Sequence, residues 1–256
     1  MKVVIPPIKS QGIKTKLVPW IKDVAPKVNG RWIEPFLGTG VVAFNARYKK
    51  AILNDTNPHI IRFYKSVQER LITVPLMKQY LENEGKLLRE AGNNGYDHYL
   101  TVRARFNSGE YSPFDFIFLS RAGFNGMMRF GSKGNWNIPF CKKPDRFAQA
   151  YITKIVNQLS LVSQIISPKP DWQFYNKSFS EIIPLATEND IIYCDPPYFG
   201  RHADYYNGWT EKVEALVCNF DANGFAQHNH GVKEKVKMRQ LELDLEYTYK
   251  YKEYGK

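Results

Sequence analysis

Ile191-Ile192-Tyr193-Cys194 is a short, continuously apolar run that stops at Asp195-Pro196-Pro197-Tyr198. A strand with no polar alternation is one covered on both faces, the environment of an inner strand in a parallel sheet flanked by helices. The two prolines lack N–H groups and cannot extend the ladder, so the strand ends there. Its carboxyl end then carries a carboxylate, carbonyls not committed to a ladder and an aromatic ring. In open parallel sheets ligands bind outside the carboxyl ends of the strands. The pattern therefore predicts an α/β fold with a site at this end.

The upstream sequence supplies the matching half. Trp32-Ile33-Glu34 leads into Pro35-Phe36-Leu37-Gly38-Thr39-Gly40, a helix is expected from Val41, and Lys50 to Asp55 reads as a second strand ending in an acid. Glycine lets a backbone approach a ligand closely and tolerates left-handed torsions. Asp55 follows Gly38 at close to the roughly 20 residues expected of a carboxylate that grips two ribose hydroxyls. No third glycine opens the helix, where Val41, Val42 and Ala43 stand. That favours an adenosine ligand with an uncharged tail, such as S-adenosylmethionine, over a dinucleotide. A turn that merely reverses the chain, with Asp55 capping a helix near Pro58, is the alternative reading.

Elsewhere a basic loop and a helix (Leu17, Trp20, Ile21, Val24) fill residues 8–30, helical spacing recurs over 58–90 and 147–166, and Trp172 to Tyr175 looks like a strand. Residues 92–146 change character, with Arg, Lys, Asn and Gly interleaved with aromatics. Leu241, Leu243, Leu245, Tyr247, Tyr249 and Tyr251 alternate with polar residues, as in a half-buried strand. The 256 residues carry a formal charge of +11, which points to a polyanionic partner such as nucleic acid. The three cysteines form no paired motif, and no His/Glu spacing suits a helical metal site. Both facts fit a reducing cytoplasm and no metal. The run Met1 to Pro7 is too short for a signal sequence or membrane span.

An adenine amino group is a poor nucleophile because its lone pair is delocalised into the ring. Acceptors that take both of its N–H hydrogens draw the nitrogen toward a tetrahedral shape. The Asp195 carboxylate and the Pro196 carbonyl are placed to do so, Pro197 fixes the chain direction, and Tyr198 can stack on an extruded base. A methyl group already activated on a sulfonium needs positioning more than acid–base power.

With glycine turn first and Asp195-Pro196-Pro197-Tyr198 last, residues 7–205 resemble the Dam-like (D12 class, alpha group) DNA adenine-N6 methyltransferases. Lys9, Gly12 and Lys14 match that family's Lys-Trp-x-Gly-Gly-Lys segment beside the cofactor, although Ser10 and Ile13 depart from it. Phe118 to Gly126, with Ser132-Lys133-Gly134 and Asn137-Ile138-Pro139-Phe140, resembles the family's inserted DNA-contacting loop or hairpin. The resemblance implies a Rossmann-like S-adenosylmethionine-binding catalytic domain (1–62 and 168–256) and an inserted, mainly helical target-recognition domain (63–167). It implies catalysis by Asp195, Pro196, Pro197 and Tyr198, and cofactor binding by Lys9, Gly12, Lys14, Glu34, Pro35, Phe36, Gly38, Gly40, Asp55 and Asp195. It implies contacts to double-stranded DNA by Arg121, Asn125, Arg129 and Lys133. A cytoplasmic restriction–modification setting, with a cognate endonuclease acting on the same site without direct contact, goes with it.

One stretch departs from the family. Val213 to Phe220 resembles the strand that closes the family's sheet, but it arrives soon after Tyr198. A segment between Lys212 and Val213 is therefore expected to be missing, leaving the flank beside the Asp195 strand short of a neighbour. Two alternatives follow: an impaired DNA-binding remnant, and an amino-methyltransferase acting on cytosine N4 or another amide or amine. The tail from Asp221 shows no resemblance.

Overall fold

The computed structural model describes residues 2–131 and 134–196 and the backbone of 224–226. In chain order the elements are α1 (Val18–Val24), β1 (Trp32–Glu34), α2 (Val41–Ala46), β2 (Ala51–Asn54), α3 (Pro58–Gln68), α4 (Val74–Glu90), α5 (Tyr96–Arg105), α6 (Pro113–Ala122), α7 (Gln149–Ile166), β3 (Trp172–Tyr175), α8 (Phe179–Ile182), β4 (Ile191–Cys194) and β5 (Gly224–Ala226). The strands form one sheet in the order β3-β2-β1-β4-β5, every pairing parallel.

The period of two sorts side chains onto the two faces. Trp32, Leu53, Trp172, Phe174, Ile191 and Tyr193 point into the larger core, and Ile33, Ile52, Ile192 and Cys194 pack against Phe179, Ile182 and Ile183 on the other side. Aromatic rings set the thickness of the larger layer. Trp32 stacks on Tyr193 at 5.6 Å between centroids, and Phe44 meets Trp172 at 6.1 Å and the edge of Tyr64 at 5.0 Å. The same core runs without a break into α4, α5, α6 and α7, through Leu81, Tyr99, Phe118 and Leu159.

Within 92–146, where the sequence showed no helical period, the structure holds α5 and α6. For α6 the reason is burial: Phe116, Ile117, Phe118, Leu119 and Ala122 surround it with apolar contacts on nearly all sides, so no polar face marks its turns; α5 buries only Tyr99 and Val102, too few positions to show a period. Asp115 is buried too, and it receives the Arg105 guanidinium at 2.6 and 2.9 Å. The backbone pairing with the outer side of β4 is Gly224–Ala226, so that flank has a neighbour. Val213–Phe220, the Lys212–Val213 junction and the alternating tail lie outside the described residues.

The amino end of the sheet is locked by one carboxylate. Asp190, just before β4, accepts from the Arg31 backbone N–H at 2.7 Å, from the Arg31 guanidinium at 2.6 Å, and from Thr187. Arg31 also donates to the Leu185 carbonyl at 2.7 Å. A side chain on Gly30 would lie 1.7 Å from the Asn189 carbonyl, so only glycine lets the two loops touch. Burial alone would raise the Asp190 pKa, but the Arg31 contacts and the Thr187 donors outweigh it and hold the carboxyl well below its ordinary value. The stability this supplies is present above the unfolded-state carboxylate pKa and lost as pH falls toward the folded one. Asp190→Ala should cost about 2 kcal/mol at neutral pH. Denaturant titrations should show the gap to wild type closing in strong acid; a gap that persists there would mean the ion pair is not its source.

Candidate active site

The chain runs from β1 outward through β2 to β3, and returns to lay β4 on the other side of β1. The switch point therefore falls between the carboxyl ends of β1 and β4, where neighbouring loops diverge and leave a crevice. Glu34 ends β1, Asp55 follows β2 and Asp195 follows β4, so three carboxylates gather at one end of three adjacent strands.

The glycine turn is built around Asp55. Leu37 N–H donates to the Asn54 carbonyl at 2.7 Å, and Gly40 N–H to Leu37 at 2.8 Å. Gly38 N–H donates to Asp55 Oδ2 at 2.7 Å and Asn57 N–H to Asp55 Oδ1 at 2.8 Å. Gly38 and Gly40 both have positive φ, and a side chain on Gly40 would strike the Phe44 ring at 2.5 Å. Above Gly38 and above Gly12, also at positive φ, a Cβ would meet nothing within 4 Å. That open backbone is where a flat ligand can come close. Pro35 is buried, its carbonyl taken by Asn54 Nδ2 at 2.9 Å, and Phe36 is half-buried against Phe179 at 5.4 Å. Burial pushes the Asp55 carboxyl up to about 6, against the pull of its two N–H donors. The cap of α3 is Asn57, whose side chain accepts from His59 N–H, not Asp55.

Glu34 corrects the sequence expectation of a cofactor contact. It is 2% exposed and turned into the larger core, where Trp32 Nε1 donates to it at 2.9 Å. It also accepts the backbone N–H of Ala43 in the first turn of α2. Burial, with smaller contributions from Asp195 and Asp55, lifts its pKa to about 8. Glu34 is a helix cap held largely as the neutral acid. It supports the turn from below.

Asp195 is half-buried, and Lys14 Nζ reaches its Oδ2 at 2.6 Å. Pro196 is buried; Pro197 and Tyr198 lie outside the described residues. Lys14 also donates to the Gly12 carbonyl at 3.2 Å, so the segment matched to the cofactor side touches the carboxylate that ends β4. Lys9 lays its methylenes against Gly126 in the inserted region, and burial followed by the charges of Arg146 and Arg121 lowers its pKa.

Of the four residues expected on DNA, Arg121 is turned inward. Its guanidinium donates to the Pro7 carbonyl and to Gln158 Oε1 at 2.6 Å, and burial brings its pKa down to about 10. It ties the N-terminal segment to α7 and is withdrawn from the DNA set. Asn125 is exposed at positive φ in the turn Phe124–Gly126, with the Phe124 ring beside it also exposed. Arg129 is half-exposed and braced by Asn137 Oδ1 at 2.8 Å. Lys133 lies outside the described residues. Arg129 and Asn137 sit on opposite arms of a hairpin-like loop, marked by the antiparallel bridges Phe130–Trp136 and Gly123–Phe140. Asn107, not singled out from sequence, clamps this loop through both Trp136 backbone groups at 2.8 and 3.1 Å. Asn57 touches Met128 Sδ at 3.2 Å, which brings the loop to the Asp55 side of the crevice.

Among the described residues no group of three His, Cys, Asp or Glu is placed to hold a metal, and no helix is long and apolar enough to cross a membrane. The family model for D12 class N6 adenine-specific DNA methyltransferases matches residues 10–253, running well past residue 205, where the resemblance read from the motifs ends. A DNA adenine methylase of Vibrio cholerae is 31% identical over 225 residues, covering 83% of this chain and 74% of that one. The DNA N-6-adenine-methyltransferase of Escherichia phage P1 is 32% identical over 173 residues, 66% of this chain and 21% of its own. The modification methylase StsI of Streptococcus sanguinis is 28% identical over 227 residues, 86% of this chain and 33% of its own.

The Glu34 assignment has a signature in stability. A carboxyl with a raised folded pKa binds a proton that the unfolded chain releases, so its contribution falls as pH rises from the unfolded value toward about 8. Glu34→Gln keeps an acceptor for Ala43 without that penalty. Its melting temperature relative to wild type should climb between pH 5 and 8 (on the order of several degrees) and then level. A pH-independent difference would put the Glu34 pKa in the ordinary carboxylate range.

Proposed function

The chain belongs to the D12 class N6 adenine-specific DNA methyltransferase family and is an adenine-specific DNA methyltransferase, and we propose that it moves a methyl group from S-adenosylmethionine to N6 of an adenine turned out of double-stranded DNA. The observation that carries this reading is the placement of Asp195 and the following Pro196 at the switch point, next to glycine turns with open space above them.

Gly12, Pro35, Phe36, Gly38, Gly40 and Asp55 form the cofactor half. Gly38 and Gly12 give a flat ring system close access to backbone, and the lone pairs of Asp55 that its N–H donors leave over can accept ribose hydroxyls. The cofactor supplies a methyl group already activated on a sulfonium. Asp195 Oδ and the Pro196 carbonyl then accept the two N6 hydrogens, which localises the nitrogen lone pair toward the methyl carbon, and Tyr198 is assigned the stacking on the base that its ring type suits. The S–CH3 bond would break as the N–CH3 bond forms, S-adenosylhomocysteine would leave, and the surplus N6 proton would pass through its hydrogen bond to Asp195 and on to water; the carboxylate stabilises the charge on nitrogen meanwhile, so most of the rate comes from position and fixed charge. The region 63–167 serves as the target-recognition unit, with Asn125, Arg129 and Lys133 on the DNA side. The name of the StsI relative, a modification methylase, supports a restriction–modification setting, and a cytoplasmic location and a cognate endonuclease sharing the site belong to that same reading.

The direct test incubates the protein with S-adenosylmethionine and unmethylated mixed-sequence DNA, digests the DNA to nucleosides and measures N6-methyldeoxyadenosine. Product should form with wild type and vanish with Asp195→Ala, which should still bind cofactor; N4-methyldeoxycytidine instead would reassign the acceptor. Asp55→Ala should weaken cofactor binding by roughly 1.5–3 kcal/mol in calorimetry. Unchanged affinity would remove Asp55 from that role.

A further inference from the structure

We propose that Lys14 holds the seat of the target amino group in the resting enzyme, its ammonium occupying the Asp195 carboxylate until an extruded base displaces it. The inference rests on Asp195 being the amino-group acceptor. In both states the same oxygen receives an N–H donor. Lys14 Nζ stands 2.6 Å from Asp195 Oδ2, at the separation a charge-assisted hydrogen bond takes, and both side chains are only 15% exposed. A base amino group bonded to that oxygen would need much the same position, so base and ammonium exclude one another.

The surroundings say how the exchange can be reversible. The Lys14 carbonyl accepts from Leu17 and Val18 N–H at 2.9 and 3.2 Å, which fixes its backbone to the start of α1. Release is therefore a swing of the side chain. The preceding residues are held by the inserted region: Arg121 grips the Pro7 carbonyl, Gln11 N–H donates to Gly126 at 3.2 Å, and Lys9 lies along Gly126. The strap from 7 to 14 thus joins the turn that presents Asn125 to the carboxylate at the end of β4. DNA seated on that turn brings phosphates to the same strap. A displaced ammonium then exchanges one anion for another, whereas without DNA it would lose its partner to water. Release of the ammonium is favoured only when DNA is present, and between turnovers the carboxylate stays compensated beside Glu34 and Asp55.

The test uses full-length protein with S-adenosylhomocysteine and mixed-sequence duplex in which 8-vinyladenine, a fluorescent adenine that keeps its 6-amino group, replaces a fraction of the adenines, so fluorescence reports extruded bases at saturating protein. Lys14→Met removes the competitor, and the extrusion equilibrium should rise roughly fivefold, the effect expected for losing one partly screened ion pair. Lys14→Arg should return it toward wild type. In an Asp195→Ala background, Lys14→Met should add nothing, because the lysine acts through that carboxylate. Unchanged or lower extrusion in Lys14→Met, or an equal rise in the Asp195→Ala background, would overturn the proposal. So would lost cofactor affinity with extrusion unaltered, which would make Lys14 a cofactor contact. Methyl transfer by Asp195→Ala itself would sink the acceptor reading beneath it, a result separate from all of these.

Discussion

The parallel pairing of β1 with β4 is the constraint on which the site depends. Among the described residues, it is there that the connections leave the sheet in opposite directions, and a turn from the first part of the chain faces a carboxylate from far downstream. The ladder is short, with Trp32 opposite Ile191 and Ile33 opposite Ile192. It is held from the amino end by Asp190 and Arg31 and through the core by Trp32 on Tyr193. A short ladder with strong terminal clamps fixes the strand ends closely, and methyl transfer with little acid–base chemistry requires just that accuracy.

Carboxylates at the carboxyl ends of these strands divide the work by depth. Glu34 is deepest and capping, mostly neutral; Asp55 is shallower and binds two loops together; Asp195 is at the opening with Lys14 against it. Three ionised carboxylates so close would repel one another. Burying one as an acid, saturating the second with backbone N–H groups and pairing the third with an ammonium lets them share one end of a sheet.

Local pattern carried most of the sheet. Trp32–Glu34, Ala51–Asn54, Trp172–Tyr175 and Ile191–Cys194 are all strands where apolar runs meet turn residues, and Asp55 and Asp195 stand at their ends as the spacing implied. What stayed hidden is orientation. Glu34 and Arg121 carry the residue types of a ligand contact and a phosphate contact, but each is consumed by a partner distant in sequence or by the next helix. No local pattern shows that Gln158 and the Pro7 carbonyl will meet a guanidinium. The helix α6 was illegible for the opposite reason: burial on nearly all sides erases the polar face that period analysis detects, whereas α5 buries only Tyr99 and Val102, too few apolar positions to mark a period. The expected bare flank beside the Asp195 strand is filled by the backbone of Gly224–Ala226, while the resemblance at Val213–Phe220 lies outside the described residues.

The inserted loop is packed against the crevice through side chains, with no hinge between them among the described residues. It is clamped by Asn107, abuts the α3 cap at Asn57, and holds the N-terminal strap at Gly126. The last two contacts end on residues next to the crevice: Asn57 beside Asp55, and the strap leading to Lys14. A ligand that shifts the loop by a fraction of an ångström therefore presses on both halves of the site at once, because packed contacts transmit displacement where solvent would absorb it. The continuous core linking the sheet to α4, α5, α6 and α7 makes rigid separation of a recognition unit from a catalytic unit costly. Coupling in this molecule must then run through side chains at the surface of that core, and Lys14, anchored by its backbone at α1 and committed by its ammonium to Asp195, is placed to swing while the fold around it stays still.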